Sequence, residues 1–338
     1  MDMRKIYLSG GSTYVVSLPK KWVIRQHLTQ GDSLIVSEER DSLMLSPNLK
    51  TRPPLARTVR CSSFPSASLF EKHLIAHYLA GYDILVLKLD VDNNSHFRDV
   101  AWETAQRLIG VEIIEDTLGE LSMETLLDPE RMPITKTVRK LNSMCQSMMR
   151  DTLTIFECAN AELAAGMGTR ENEIDRLYFL AMRQLKEATT SDQLAKKLEI
   201  RHSSDVLEYR VVVQHIERIS DHIESISKNV LGLIEMETEH GLEEFVDASR
   251  LIFSLYEQAI SPIILRDYSV PVAVFEMEEK LDEMLLHMLK TLMDTKSSGR
   301  DALLRRGILS SLDRIKSYTI GIAEMAINLN VSEVEEGM

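Results

Sequence analysis

Carboxylates spaced four residues apart recur in the second half of this chain: Glu171 and Asp175, Glu217 and Asp221, Glu278 and Asp282, with Asp313 standing alone. On a helix, a spacing of four puts both side chains on one face, one turn apart. Two antiparallel helices that each present such a pair surround a cation with oxygen ligands. Oxygen donors suit hard or borderline ions: magnesium, manganese, iron, and zinc as the softer case. Like charges at this spacing otherwise cost about 0.2–0.5 kcal/mol per pair, which a bound cation relieves. A single pair reads equally as a solvated acidic face. Recurrence at corresponding places in a duplicated segment is what sets the metal reading beside it. The second copy departs from the first, because Ser317 stands where Asp221 stands and Lys316 brings a cation next to the site.

His202, His215 and His222 lie near these carboxylates. His215 and His222 are seven apart and share a helical face, as candidate ligands or as ordinary surface. The methionines, Met144, Met148, Met149, Met182, Met284, Met288 and Met293, follow apolar stripes and read as core filler. Helical di-metal enzymes use matched Glu-x-x-His pairs on inward faces. No matched set occurs in these helices, where Glu239 and His240 are only neighbours. No catalytic residue is assigned, and the chain is expected not to be an enzyme.

The elements that must hold these groups are helices, and one of them is written twice. Val212, Ile216, Ile219, Ile223, Ile226 and Val230 recur 96 positions later as Ile308, Leu312, Ile315, Thr319, Ile322 and Ala326. Steps of four and three mark a helix buried along one seam of a bundle. Upstream, Ile134, Val138, Leu141, Cys145, Met148, Thr152, Ile155 and Ala159 step in the same way. Gly166 and Gly168 are expected to end that helix, with Thr169 capping a second that runs to about Leu198. A third spans 202–236, and Gly241 breaks it. Segments 245–265, 271–295 and 300–330 repeat the plan, with Ser297-Ser298-Gly299 as the last turn. This predicts two antiparallel three-helix bundles, at 132–240 and 241–332.

Residues 1–48 read as a small β-rich unit. Strands are expected at 4–8, 13–18, 33–37 and 43–46, with a charged hairpin tip at 38–41. Turns fall at Gly10-Gly11-Ser12 and Gln30-Gly31-Asp32, and a short helix follows Pro19. So few strands cannot bury enough surface alone, so the unit is expected to pair with a copy of itself as a homodimer. It carries Arg4, Lys5, Lys20, Lys21 and Arg25 against Asp2. Residues 49–57, with Pro53-Pro54, read as a linker. Residues 58–127 then run βαβαββ, a small α/β layer without a phosphate-cradling glycine motif. A structural or interaction role is expected of it. The fold class is thus multidomain α+β.

A net charge of −13 makes the whole chain a poor polyanion binder. The five N-terminal cations are either ordinary surface or the electrostatic footprint of a small nucleic-acid-reading head. Cys61, Cys145 and Cys158 form no CxxC pair, which points to a reducing compartment. No apolar run reaches the length of a membrane span, and no signal-peptide core begins the chain. A cytoplasmic protein that is not integral to a membrane is expected.

The string Val213-Gln214-His215-Ile216-Glu217-Arg218-Ile219-Ser220-Asp221-His222 resembles the signature helix of the PhoU family. Glu171-Asn172-Glu173-Ile174-Asp175 resembles the E/DxxxD segment of that family's second helix, and the likeness covers about 132–332. The stretch Gly10 to Lys20 with Gln30-Gly31-Asp32 resembles an AbrB/SpoVT swapped-hairpin domain. The combination resembles archaeal PhoU-family phosphate uptake regulators. The first resemblance implies paired bundles and several metal ions held by Glu171, Asp175, Glu217 and Asp221, then by Glu278, Asp282 and Asp313, with Ser317 a departure. It also implies action between a phosphate ABC transporter, through its ATPase, and a signalling or transcriptional output. The second implies a dimer that lays Arg4, Lys5, Lys20, Lys21 and Arg25 on the DNA backbone. Two functions are therefore expected in competition: a DNA-binding regulator of phosphate uptake, or an adaptor that only dimerises and docks on the transporter.

Overall fold

The computed structural model describes residues 3–39, 42–47, 54–89, 94–127, 131–190, 192–267, 269–294 and 299–334. Asp2, residues 40 and 41 of the expected hairpin tip, residues 49–53 of the expected linker, and Ser297-Ser298 of the last expected turn lie outside them. The chain divides into two compact units, 1–54 and 55–338.

In the first unit, β1 (Ile6–Ser9) and β2 (Thr13–Val16) pair antiparallel, with Ile6 opposite Val16 and Leu8 opposite Tyr14. The turn between them needs positive φ, which Gly10 (+63°) and Gly11 (+83°) supply without strain. Pro19 leads into α1 (Lys20–Arg25), and β3 (Leu34–Glu39) pairs with β4 (Ser42–Pro47). None of the unit's described side chains is buried. Ile6, Leu8 and Tyr14 are 68, 59 and 76% exposed, so the hairpin has an apolar face and no core of its own.

The second unit begins with β5 (Ala56–Arg60), α2 (Ala67–Leu79), β6 (Ile84–Lys88), α3 (Asn94–Arg107), β7 (Val111–Asp116) and β8 (Glu120–Thr125). The sheet order is β5-β6-β8-β7, with only β5 and β6 parallel. The βαβαββ order is as expected, although the first strand starts two residues early. Ser66 caps α2 by accepting from the Leu69 amide at 3.3 Å. Phe70, Leu74, Leu87 and Leu121 fill this layer's core.

Among the described residues, eight α-helices follow: α4 (Ile134–Cys158), α5 (Ala161–Ala165), α6 (Met167–Ala188), α7 (Asp192–Lys197), α8 (Val206–Glu235), α9 (Glu244–Leu265), α10 (Ala273–Asp294) and α11 (Gly299–Val334). Two expected boundaries move. Ala159 takes a left-handed φ of 47° and Asn160 caps α5, so the first break comes before Gly166. Thr169 then lies inside α6 rather than at its cap, and the Asn172 side chain donates to the Gly168 carbonyl at 2.7 Å. The second helix also stops at Ala188, with α7 a separate short piece before Leu198.

The two sets of helices share one hydrophobic core running from Ile134 to Leu329. The duplicated helices, α8 and α11, pack against each other. His215 meets Tyr318, His222 meets Ser311, and Asn229 meets Gly307, so they run antiparallel. Their close approach depends on two glycines fourteen residues apart on α11. A Cβ at Gly307 would lie 2.8 Å from Asn229 Nδ2, and one at Gly321 would lie 2.7 Å from His215 Nδ1. Gly321→Ala is therefore expected to destabilise the unit by about 1–3 kcal/mol through overpacking. Chemical denaturation should show this as a lower midpoint at unchanged m-value, and an unshifted midpoint would mean that the imidazole moves aside freely.

Candidate metal centre

Glu171 and Asp175 are placed by α6, which turns Ile174, Leu177 and Ala181 into the core. Asp221 is placed by α8, whose Ile216, Ile219 and Ile223 are fully buried. The core faces of the two helices thus fix where their polar edges meet. There, Glu171, Asp175 and Asp221 each offer an oxygen, and all three lie within 4.8 Å of one another. All three are half-buried.

The electrostatics follow from this convergence. Glu171 is raised to about 7, first by loss of hydration, then by the charges of Asp175, Asp221 and Glu224. Asp175 is raised by the same loss of hydration and by Asp221, with Arg107 opposing. Asp221 is also raised by burial, while Arg218 pulls it back. Two guanidiniums lie at the rim: Arg218 Nη1 is 2.9 Å from Asp221, and Arg107 Nη2 is 3.9 Å from Asp175. Arg107 comes from α3 in the α/β layer and also pairs with Glu71. Both guanidinium side chains are at least 40% exposed, so neither acts as a fixed buried counter-ion.

Glu217 does not join the trio. Its carboxylate is nearly buried one turn away, with Arg218 Nε at 3.4 Å. Burial, then Asp221, raises it to about 7. The expected pairing at i, i+4 thus delivers Asp221 to the site and leaves Glu217 beside it. The histidines are engaged elsewhere, although His222 lies near enough to Asp221 to favour its charged form. His215 and His222 bracket the Tyr318 ring at 5.3 and 5.9 Å in the α8–α11 seam, while His202 caps the turn before α8. None belongs to the trio.

The second set of acids is arranged differently. Asp282 and Asp313 are both well exposed, and the Lys316 ammonium bonds to both, Asp313 at 3.0 Å. Glu278 is raised by burial and by Asp282. Among the described residues, only Glu171, Asp175 and Asp221 form a group with metal-ligand spacing. The five N-terminal cations are all exposed, with Lys20, Lys21 and Arg25 on α1 and Arg4 and Lys5 just before β1. Sequence reasoning missed Arg107 and Glu224. Glu224 follows Asp221 by three and so had a helical signal. Arg107 had none, because it sits on a distant element.

A stretch within this region matches a known family. Residues 138–230 match the PhoU domain. That stretch holds the whole trio. Residues 7–53 match the family described as antidote-toxin recognition MazE, bacterial antitoxin. A phosphate-specific transport system accessory protein PhoU homologue from Pseudomonas putida is 32% identical over 97 residues, 29% of this chain and 35% of that relative. The chain therefore spans about a third of that protein's length. Two solved structures share the PhoU-like helical fold at a TM-score of 0.50 each, over 59% of this chain. One is the phosphate transport system regulatory protein PhoU from Streptococcus pneumoniae, 18% identical with 94% of its chain covered. The other is PhoU from Pseudomonas aeruginosa, 16% identical with 96% covered. Among the described residues, no helix is long and apolar enough to cross a membrane.

Proposed function

We propose that this protein regulates phosphate uptake, with its PhoU-domain helices holding a metal ion and its N-terminal unit dimerising and contacting DNA. The observation that carries the proposal is the convergence of Glu171, Asp175 and Asp221 within the stretch that matches the PhoU domain. An all-oxygen donor set of three carboxylates fits magnesium, manganese or iron better than a thiophilic ion. Their mutual repulsion would be relieved by a cation between them. When bound, the metal supplies charge neutralisation and a rigid link between α6 and α8. The chain's own residues do the rest: α6 and α8 hold the oxygens in place, and Arg218 and Arg107 balance charge at the rim. No catalytic step is assigned.

The exposed apolar face of β1 and β2 supports self-association, because such a surface is costly in water unless a partner covers it. A second copy, pairing hairpin against hairpin, would bury it. Lys20, Lys21 and Arg25 on α1, with Arg4 and Lys5 nearby, would then supply phosphate-backbone contacts from both copies. A ligand changes DNA affinity only by preferring one arrangement of the protein. The test is duplex binding by the full chain across a salt series, with and without Mn²⁺. Lys20→Ala/Lys21→Ala should weaken binding on every sequence and reduce the salt slope by about two, roughly one per phosphate contact. Unchanged affinity and slope would remove these lysines from the interface.

The net charge of −13 favours a second reading, an adaptor that docks on a phosphate transporter ATPase or a signalling protein without touching DNA. Absence of binding to random duplex at low salt selects that reading.

A further inference from the structure

The two acidic sets belong to two copies of one helical plan, with Asp313 standing where Glu217 does and Ser317 where Asp221 does, and among the described residues only the first set gathers into a ligand group. Lys316 follows Ser220 by the same 96 positions that separate the two copies, and Ser317 follows Asp221 likewise. In the first copy, Ser220 is fully buried and bonds back to the Glu217 carbonyl at 2.7 Å, which leaves the carboxylate face open. In the second copy the small hydroxyl is replaced by a long side chain that stays 7% exposed along its length. Its ammonium emerges between α10 and α11 and bonds to both Asp282 and Asp313. The substitution at 317 removes a ligand, and the one at 316 delivers a charge.

We infer that Lys316 is a built-in counter-cation: its ammonium fills the place a metal would take in the second acidic set. Among the described residues, metal binding is therefore confined to Glu171, Asp175 and Asp221. The inference rests on the metal reading of the first set for its contrast, although the role of Lys316 can be tested without it. Three facts agree. The ammonium is shared between carboxylates from two different helices, which is what a bridging cation does. Its side chain is only 7% exposed, which holds the ammonium against the two carboxylates. And Asp282 and Asp313, more than half exposed, do not gather with Glu278 into a ligand group as the first trio does. A tethered amine also frees the second half of the helical unit from metal supply, so metal occupancy reports through α6 and α8 alone.

The test uses metal-stripped full-length protein dialysed against Mn²⁺, with bound metal measured by elemental analysis and folding followed by circular dichroism. In the wild type, Asp282→Asn/Asp313→Asn should leave Mn²⁺ uptake unchanged, whereas Glu171→Gln/Asp175→Asn/Asp221→Asn should abolish it. Lys316→Ser/Ser317→Asp, which rewrites the second copy in the pattern of the first, should gain a further equivalent of Mn²⁺. That gain should persist with the first trio removed and disappear when Asp282→Asn is added. Loss of wild-type Mn²⁺ on Asp282→Asn/Asp313→Asn would overturn the inference, as would a folded Lys316→Ser/Ser317→Asp variant with no gain. A wild type that takes no Mn²⁺ at all would instead sink the reading of the first trio, while the gain in Lys316→Ser/Ser317→Asp would still decide the role of Lys316.

Discussion

Arg183→Met is expected to lower the stability of the second unit by about 3 kcal/mol, because it removes every bond of a buried guanidinium that ties α6 to the α/β layer. Arg183 lies on α6 with its side chain 4% exposed, and it joins the α/β layer to the helices. Nη1 donates to the carbonyls of Tyr78 and Tyr82 at 2.9 and 2.7 Å, and Nη2 donates to Asp83 at 2.8 Å. Nε lies 3.2 Å from Glu187, and the guanidinium sits 5.1 Å from the centre of the Tyr78 ring. Methionine keeps much of the stem's packing and removes every one of these bonds. The Tyr82 carbonyl would lose its donor, while the Tyr78 carbonyl still accepts from the Gly81 amide at 3.0 Å. Asp83 suffers less, since it also accepts from the Leu55 amide at 2.7 Å. Hydrogen exchange should show faster opening of α2 and β6 than of α8 in this variant. A loss below about 1 kcal/mol would mean that the α/β layer is held to α6 by other contacts.

Asp175→Asn is expected to weaken Mn²⁺ binding by about a hundredfold or more, since even groups behind the ligands typically contribute 10–100-fold. The effect on the metal-free protein should have the opposite sign. The carboxyl of Glu171 is raised in the folded state to about 7, so its folded form binds a proton more tightly than the unfolded chain does. The stability this contributes is fully present below the unfolded value of about 4.5 and is lost as pH rises through about 7. The same holds for Glu217. Without metal, the protein should therefore be less stable at pH 8 than at pH 6, and Glu171→Gln or Asp175→Asn should flatten that decline. With Mn²⁺ at about a hundred times its dissociation constant, binding adds about 2.7 kcal/mol, and the trend with pH should reverse because only the deprotonated trio binds. Thermal melts at the two pH values, with and without Mn²⁺, check both signs. A metal-free melting temperature that rises from pH 6 to pH 8 would contradict the raised carboxyls of Glu171 and Glu217, which loss of hydration and then neighbouring charges produce. The histidines of the α8–α11 seam act on the acid side: burial lowers both His215 and His222, so their contribution is lost as pH falls below about 6.5.

Much of this was legible because helical periodicity is a strong signal over long segments. The seam from Val212 to Val230 and its copy from Ile308 to Ala326 define α8 and α11, and each of these residues is buried. What periodicity leaves open is which neighbour a seam faces. A stripe that packs within its own three-helix set looks the same as one that also packs on the other set, so the single shared core was not readable. Local propensity misplaced the start of α6 at Thr169, because the Asn160 cap and the left-handed turn at Ala159 moved the break upstream. At the site, spacing put Glu171, Asp175 and Asp221 on the helix edges that α6 and α8 bring together. It could not tell that Glu217 would stop one turn short, since that depends on the relative rotation of α6 and α8. Arg107 was out of reach for the same reason. Lys316 was visible as a cation beside Asp313, and only the packing of α10 against α11 shows that it bonds to Asp282 as well.

The most direct test is an anomalous-scattering map from crystals of the full chain grown with Mn²⁺. The expected result is a peak coordinated by Glu171, Asp175 and Asp221 and none between Asp282 and Asp313. A map without a peak at the trio, from protein otherwise shown to carry manganese, would contradict the assignment of these three carboxylates as the metal ligands.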